Sequence, residues 1–209
     1  TVQRIVAGLK GKGMYENTIV ILTSDNGSSP HGFPIEQEIE FEHNTSNGYK
    51  GRKSHTYDGG HRVSFIATWP KTIKPGSTSN EVICSTDLFA TVADLLGHKL
   101  ADYEAQDSYS FLPVLKGETY EKPLREATIH HSLNGDFSIR KGNWKYIDAK
   151  GHGGFAQIKE TVHEDSVQLY NVASDPSETT NVYLDYPDMV NEMKFLLEKY
   201  KAQGFSRPK

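Results

Sequence analysis

The chain has 209 residues, a formal net charge of −4, 36% hydrophobic and 24% charged residues, which suits one large globular domain or a large piece with a smaller one. Mild acidity without a dense Lys/Arg patch argues against a nucleic-acid binder. The longest aliphatic run, Ile19-Val20-Ile21-Leu22, is far short of the ~20 residues of a membrane helix, and a single cysteine, Cys84, excludes an internal disulfide or a multi-cysteine zinc site.

In chain order, Val2, Ile5, Val6 and Leu9 fall at helical spacing, and Gly11 and Gly13 stop the helix. A chain opening inside an amphipathic helix, with no initiator Met and no targeting segment, is expected to be a fragment. Residues 17–24 read as a strand apolar on both faces, the pattern of a central parallel strand. Asp25-Asn26-Gly27 ends it. Residues 28–50 are polar and aperiodic and are expected to form a long surface loop. A second strand at 63–69 runs into Pro70. Ser85-Thr86-Asp87 offers helix-capping oxygens, ahead of an apolar stripe of Leu88, Val92, Leu95 and Leu96 that ends at Gly97. Strand–helix alternation in this half indicates an α/β layer architecture.

From about residue 121 the character changes. Residues 128–131, 137–140, 144–147 and 167–171 are short strand candidates, with Lys141-Gly142-Asn143 a hairpin turn between the middle two. Asp175-Pro176-Ser177 makes a turn. Pro187 opens a last helix in which Val190, Met193, Leu197 and Tyr200 share a face before Gly204. The expected division is 1–122, part of an α/β domain, and 123–209, a small antiparallel sheet closed by a helix.

Several residues can carry chemistry. Asp25-Asn26, where a strand ends, pairs a carboxylate with an amide carbonyl, oxygen ligation suited to Ca²⁺ or Mg²⁺; an ordinary Asx turn is the alternative. Arg52 and Lys53, in a Gly-flanked loop near His55 and His61, can hold a phosphate, sulfate or carboxylate, or be plain surface charges. Asp58-Gly59-Gly60 permits a tight turn, with Asp58 and Arg62 placed for a local ion pair. His130 and His131, adjacent in a strand, must point to opposite faces. Cys84 reads as a small core residue with no basic group obviously placed to lower its pKa. Asn44-Thr45-Ser46 fits the glycosylation sequon.

Together, the segments at 17–27 (NTIVILTSDNG), 51–70 (GRKSHTYDGGHRVSFIATWP), 85–97 (STDLFATVADLLG), 110–117 (SFLPVLKG), 137–147 (FSIRKGNWKYI) and 169–181 (LYNVASDPSETTN) resemble the C-terminal half of a type I, formylglycine-dependent sulfatase of the alkaline-phosphatase superfamily. The resemblance implies the C-terminal part of a mixed sheet flanked by helices, followed by a small C-terminal antiparallel sheet packed with a helix. It makes Asp25 and Asn26 half of a calcium site, the other half lying nearer the intact protein's N-terminus. Lys53 matches the lysine that contacts sulfate, while Asp58 and Arg62 match scaffold positions. His55, His131 and His43 are candidate substrate contacts, the last within the 28–50 loop as a recognition insert.

The family's Cys/Ser-X-Pro-X-Arg motif, source of the formylglycine nucleophile, does not occur in this sequence. The formylglycine is therefore expected upstream, and the chain alone is expected to be inactive. The implied reaction is hydrolysis of sulfate esters, on a sulfated carbohydrate or an aryl sulfate, by a periplasmic or secreted protein that includes the N-terminal half. The competing expectations are a phosphodiesterase or phosphonate hydrolase of the same superfamily, with two transition metals, and a non-catalytic binding module.

Overall fold

Two groups of strands organise the chain, a two-stranded pair and a four-stranded sheet. The structure is a computed structural model that describes residues 1–29, 31, 35–155 and 167–208. Positions 30 and 32–34 of the 28–50 loop lie outside the described residues.

One compact unit comprises Thr1–Thr23, Ser64–Arg125 and Arg207–Lys209. Helix α1 (Val2–Gly11) forms as its apolar spacing predicts, and Gly13, at φ 67°, turns the chain out of it. After a short 3-10 turn at Tyr15–Asn17, strand β1 (Val20–Leu22) pairs with β2 (Ile66–Thr68). The pairing is antiparallel, Val20 opposite Thr68 and Leu22 opposite Ile66, which corrects the expected parallel strand. An apolar run predicts a strand but neither the direction of its neighbour nor what covers it, and Leu22 is exposed.

Helix α4 (Asp87–Leu95) also differs from its sequence reading. The apolar stripe of Val92, Leu95 and Leu96 is exposed, and the buried face is Asp87, Ala90, Thr91 and Ala93. Asp87 decides this. Its carboxylate accepts from the N–H groups of Cys84 (2.7 Å) and Tyr109 (2.9 Å) and pairs with Arg125, and Thr91 Oγ1 accepts from the N–H of Phe111 at 3.0 Å. The N-cap residue, Thr86, makes no side-chain cap bond, so Asp87 organises the helix start. Helix α5 (Leu112–Lys116) ends at Gly117 in the left-handed region, φ 68°. Cys84 does have a basic neighbour, Arg125 Nη1 at 3.2 Å, yet burial outweighs it and raises the thiol pKa.

The second unit comprises Ser24–Val63 and Glu126–Ser206. It therefore joins two stretches that a single cut at 122/123 separates. Strands β3 (Thr128–His131), β4 (Phe137–Lys141), β5 (Trp144–Ile147) and β6 (Gln168–Asn171) form an antiparallel sheet in sequence order. Gly142, at φ 56°, closes the β4–β5 hairpin. Helix α6 (Pro187–Gln203) starts with Pro in its first turn and ends at Gly204, φ 73°. It buries Met193, Leu196, Leu197 and Tyr200 against Ile139, Tyr146 and Leu169 of the sheet, and this is the main apolar core. The 28–50 stretch contains a short helix, α2 (Ile35–Glu40), where a loop was expected. Its Glu38 pairs with Arg52 and accepts from the N–H of Thr45 at 3.1 Å, tertiary contacts that aperiodic sequence does not advertise. Among the described residues no helix is long and apolar enough to cross a membrane.

Candidate active site

A turn of bare backbone lies at the centre of the second unit. Helix α3 (Asp58–His61) is a single turn with Gly59 and Gly60 buried inside it. The N–H of Gly59 donates to the Lys50 carbonyl at 2.7 Å, and the Gly60 carbonyl accepts from the N–H of Gly27 at 2.9 Å. A Cβ on Gly27 would collide with the Gly59 carbonyl; one on Gly59 would strike the Gly51 and Lys50 carbonyls; one on Gly60 would strike those of His55 and Arg52. Three glycines are thus needed because backbone packs on backbone.

This packing joins the two segments singled out in the sequence. Asp25 and Asn26 immediately precede Gly27, and the N–H of Lys53 donates to the carbonyl of Ser28 at 2.9 Å. Asp25 is exposed, and its Oδ1 lies 3.4 Å from Ser24 Oγ. Asn26 Nδ2 donates to the Gly27 carbonyl at 2.9 Å, which leaves Oδ1 as an oxygen donor. A carboxylate and an amide oxygen side by side fit half the shell of a hard cation. Among the described residues no three His, Cys, Asp or Glu side chains gather as a metal site. Lys53 is half-buried, and no ion-pair partner for its ammonium occurs among the described residues.

Behind the turn lies a buried ion cluster. Lys145 Nζ, from β5, is 2.8 Å from Asp58 Oδ1 and 2.8 Å from Glu178 Oε1, with all three side chains at most 2% exposed. Glu178 Oε2 accepts from the backbone N–H of Asp58 at 2.7 Å. Burial pushes Asp58 up, but the Lys145 ammonium, helped by His61 and Arg140, outweighs burial and holds the carboxyl well below the usual range. For Glu178 burial prevails over the same ammonium and raises the pKa. His61 Nε2 lies 3.1 Å from the Thr56 carbonyl and 3.3 Å from Lys145 Nζ, and its ring stacks on His130 at 3.7 Å. Burial first, then Lys145, lowers His61 to about 3.

The expected Asp58–Arg62 pair is present at 3.4 Å, but it is the outer and more exposed contact. Lys145 and Glu178 are the partners that sequence reasoning missed, because each lies in a stretch legible only as strand or turn. Tyr57 adds a second buried tie, its hydroxyl donating to Gln168 Oε1 at 2.8 Å.

The three candidate histidines sit in different settings. His55 is 3% exposed, stacks on His152 at 4.0 Å, and leaves both ring nitrogens without a partner among the described residues. Burial, then the charges of His152, Arg52 and Lys50, lowers it to about 4. His131 is exposed, with Nδ1 3.0 Å from the Ser132 carbonyl and its ring tilted against Phe137. His43 is exposed just after α2. The alternation expected of the His pair in β3 holds, since His130 faces His61 while His131 faces away.

The family model described as Sulfatase matches residues 1–98. Over 97% of its length the chain is 35% identical to an N-acetylgalactosamine-6-O-sulfatase from Bacteroides thetaiotaomicron. A solved structure described under the metabolism of multiple glycosaminoglycans by Bacteroides thetaiotaomicron superposes with a TM-score of 0.84 and 32% identity over 96% of the chain. The chain belongs to the sulfatase family. Another solved structure, bound to its substrate D-glucosamine-2-N,6-O-disulfate, matches with a TM-score of 0.68 and 25% identity over 97% of the chain. This sulfatase chain spans 40% of the length of the first relative and 42% and 37% of the two solved chains. Their likeness covers both compact units of the sulfatase chain, the small sheet with its helix included.

Proposed function

We propose that this chain is the C-terminal portion of a longer sulfatase that hydrolyses sulfate esters of a carbohydrate. The observation that carries the reading is the direct hydrogen-bonded junction of the Asp25-Asn26 segment with the Lys53 segment. It puts hard oxygen donors and a cation on adjoining stretches of chain, as binding the anionic sulfate group of an ester requires. The substrate class rests on two relatives, one named for N-acetylgalactosamine 6-O-sulfate and one bound to a sulfated glucosamine.

In this reading Asp25 and Asn26 contribute two oxygens to one Ca²⁺, which takes about six to eight, the others coming from outside this chain. When bound, that ion supplies positive charge against the ester oxygens. Lys53 donates to a sulfate oxygen and offsets the negative charge of the group, so that the nucleophile can approach sulfur while the S–O electron pair passes to the bridging oxygen of the leaving alcohol. The glycine turn holds both groups at fixed spacing, so little reorganisation accompanies the reaction. The attacking formylglycine lies in the part of the protein beyond this chain. His131 and His43 are proposed to meet the sugar, whereas His55, buried, supports the lysine loop from behind.

The test is sulfate release by the full-length protein from sulfated N-acetylhexosamines and from 4-nitrophenyl sulfate, together with metal analysis. Sulfate release with one calcium per chain supports the proposal. Two zinc or manganese ions with phosphodiester cleavage favour the phosphohydrolase alternative, and tight sugar binding without turnover favours a binding module.

A further inference from the structure

We propose that Lys145, acting with Glu178, is a positioning residue that sets the distance between the Asp25-Asn26 pair and Lys53. The inference rests on the reading of those residues as the sulfate site. It assigns their spacing to a buried charge that touches neither of them.

The path is continuous. Lys145 Nζ grips Asp58 Oδ1 and Glu178 Oε1, both at 2.8 Å. Glu178 Oε2 grips the N–H of the same Asp58 at 2.7 Å, so the side chain of one residue is fixed from β5 and its main chain from the segment after β6. The next two residues carry the hydrogen bonds that hold the site: Gly59 N–H to the Lys50 carbonyl, and Gly27 N–H to the Gly60 carbonyl. Lys50 Nζ returns to the Glu178 carbonyl at 3.3 Å. Nothing along this path can slide, because no room exists for even a Cβ at Gly27, Gly59 or Gly60.

Stability alone does not account for the arrangement. Burying an ammonium between two carboxylates is costly, and apolar replacements of such clusters are often neutral or stabilising. What an apolar side chain could not do is orient Asp58 through two of its atoms at once. Without the ammonium, two buried carboxylates would face each other across the start of the turn. Repulsion between them, or proton uptake by one, would end this two-point hold on Asp58 and shift, with it, the carbonyl of Gly60 that holds Gly27.

The experiment uses full-length Lys145→Gln and Glu178→Gln, assayed at a temperature where circular dichroism shows each fully folded. Calcium alone is titrated into metal-stripped protein by calorimetry, and kcat and KM are measured on a sulfated N-acetylhexosamine. The expected result for Lys145→Gln is a calcium Kd at least tenfold weaker and a kcat at least tenfold lower, with KM changing less than kcat. Glu178→Gln keeps an acceptor for the Asp58 N–H and removes one charge, and is expected to weaken calcium at least threefold. A folded Lys145→Gln with wild-type calcium Kd and kcat overturns the inference even if its melting temperature falls. Should Lys145→Gln not fold, Glu178→Gln decides in the same way. Lys53→Ala, measured alongside, separates the two levels. Full activity there would sink the site reading itself, whereas an inactive Lys53→Ala beside normal Lys145 and Glu178 variants would sink only this inference.

Discussion

The N–H of Lys53 donates to the carbonyl of Ser28 at 2.9 Å, three residues past Asp25. That bond, with Gly27 N–H to Gly60 O, makes the lysine loop and the acidic segment one rigid piece.

The glycine packing can be tested by stability. Gly59→Ala places a Cβ against the backbone carbonyls of Gly51 and Lys50, which have no flexible end to move aside. Overpacking of this kind costs about 1–3 kcal/mol and more where backbone must shift. The expected loss in the full-length protein is about 3 kcal/mol, read from the urea midpoint. Gly76→Ala, whose Cβ would meet nothing within 4 Å, is the control for steric effects. At φ +73° its own backbone cost is expected near 1 kcal/mol.

Gln168 offers a second test with a built-in asymmetry. Its Oε1 accepts from both Tyr57 (2.8 Å) and Tyr170 (2.7 Å), and its Nε2 donates to the Ala149 carbonyl at 2.9 Å. Tyr57→Phe removes one donor and leaves the acceptor satisfied, at an expected cost of about 1 kcal/mol. Gln168→Leu takes this acceptor from two buried hydroxyls and this donor from the Ala149 and Gly151 carbonyls, with an expected cost of about 3 kcal/mol or more. Equal denaturation midpoints for the two variants would contradict this account of the tie.

The buried histidines set an acid limit. His55 and His61 are lowered from 6.5 to about 4 and about 3 by burial first, so the unfolded chain binds protons that the folded chain refuses. A His with a depressed folded pKa contributes stability that is complete above its unfolded pKa and is lost as pH falls below it. Between pH 7 and pH 5 each costs about 2 kcal/mol, partly offset by Glu178, whose raised pKa acts in the opposite sense. Urea midpoints should therefore fall from pH 7 to pH 5. In a His55→Asn variant the fall should shrink by about one histidine's share, roughly 2 kcal/mol.

What the sequence revealed was local. The α6 face, the β4–β5 hairpin and the Gly-Gly turn follow from periodicity and turn chemistry within about a dozen residues. The Asp25-Asn26 and Lys53 positions stood out by residue type and place in the chain, and the resemblance of the motif order to a family is what weighed them above an Asx turn and plain surface charges. Lys145 and Glu178 were not legible, since they reach Asp58 from 87 and 120 residues away and each reads locally as a plain strand or turn residue. The stripe on α4 was seen correctly as apolar, but periodicity does not say what covers it. Asp87 turned the opposite face inward.

That face yields its own prediction. Phe89, Val92 and Leu96 project from α4 at 60%, 50% and 76% exposure, and Leu22 and Ile66 are open on the β1–β2 pair. Apolar surface of this extent fits a docking face, and under the proposed function its occupant is the rest of a longer protein. The 209-residue chain alone is expected to bind a hydrophobic dye strongly, and the full-length protein weakly. Equal dye signals would contradict that assignment.

The most direct test of the central claim is the kcat/KM of full-length Lys53→Ala and Asp25→Ala on a sulfated N-acetylhexosamine. Each removes one charge-stabilising group without touching the glycine turn. The account predicts at least a hundredfold loss in each variant, about 2.7 kcal/mol of transition-state stabilisation. Near-normal turnover in either one would contradict the role given to that residue, and near-normal turnover in both would contradict the site.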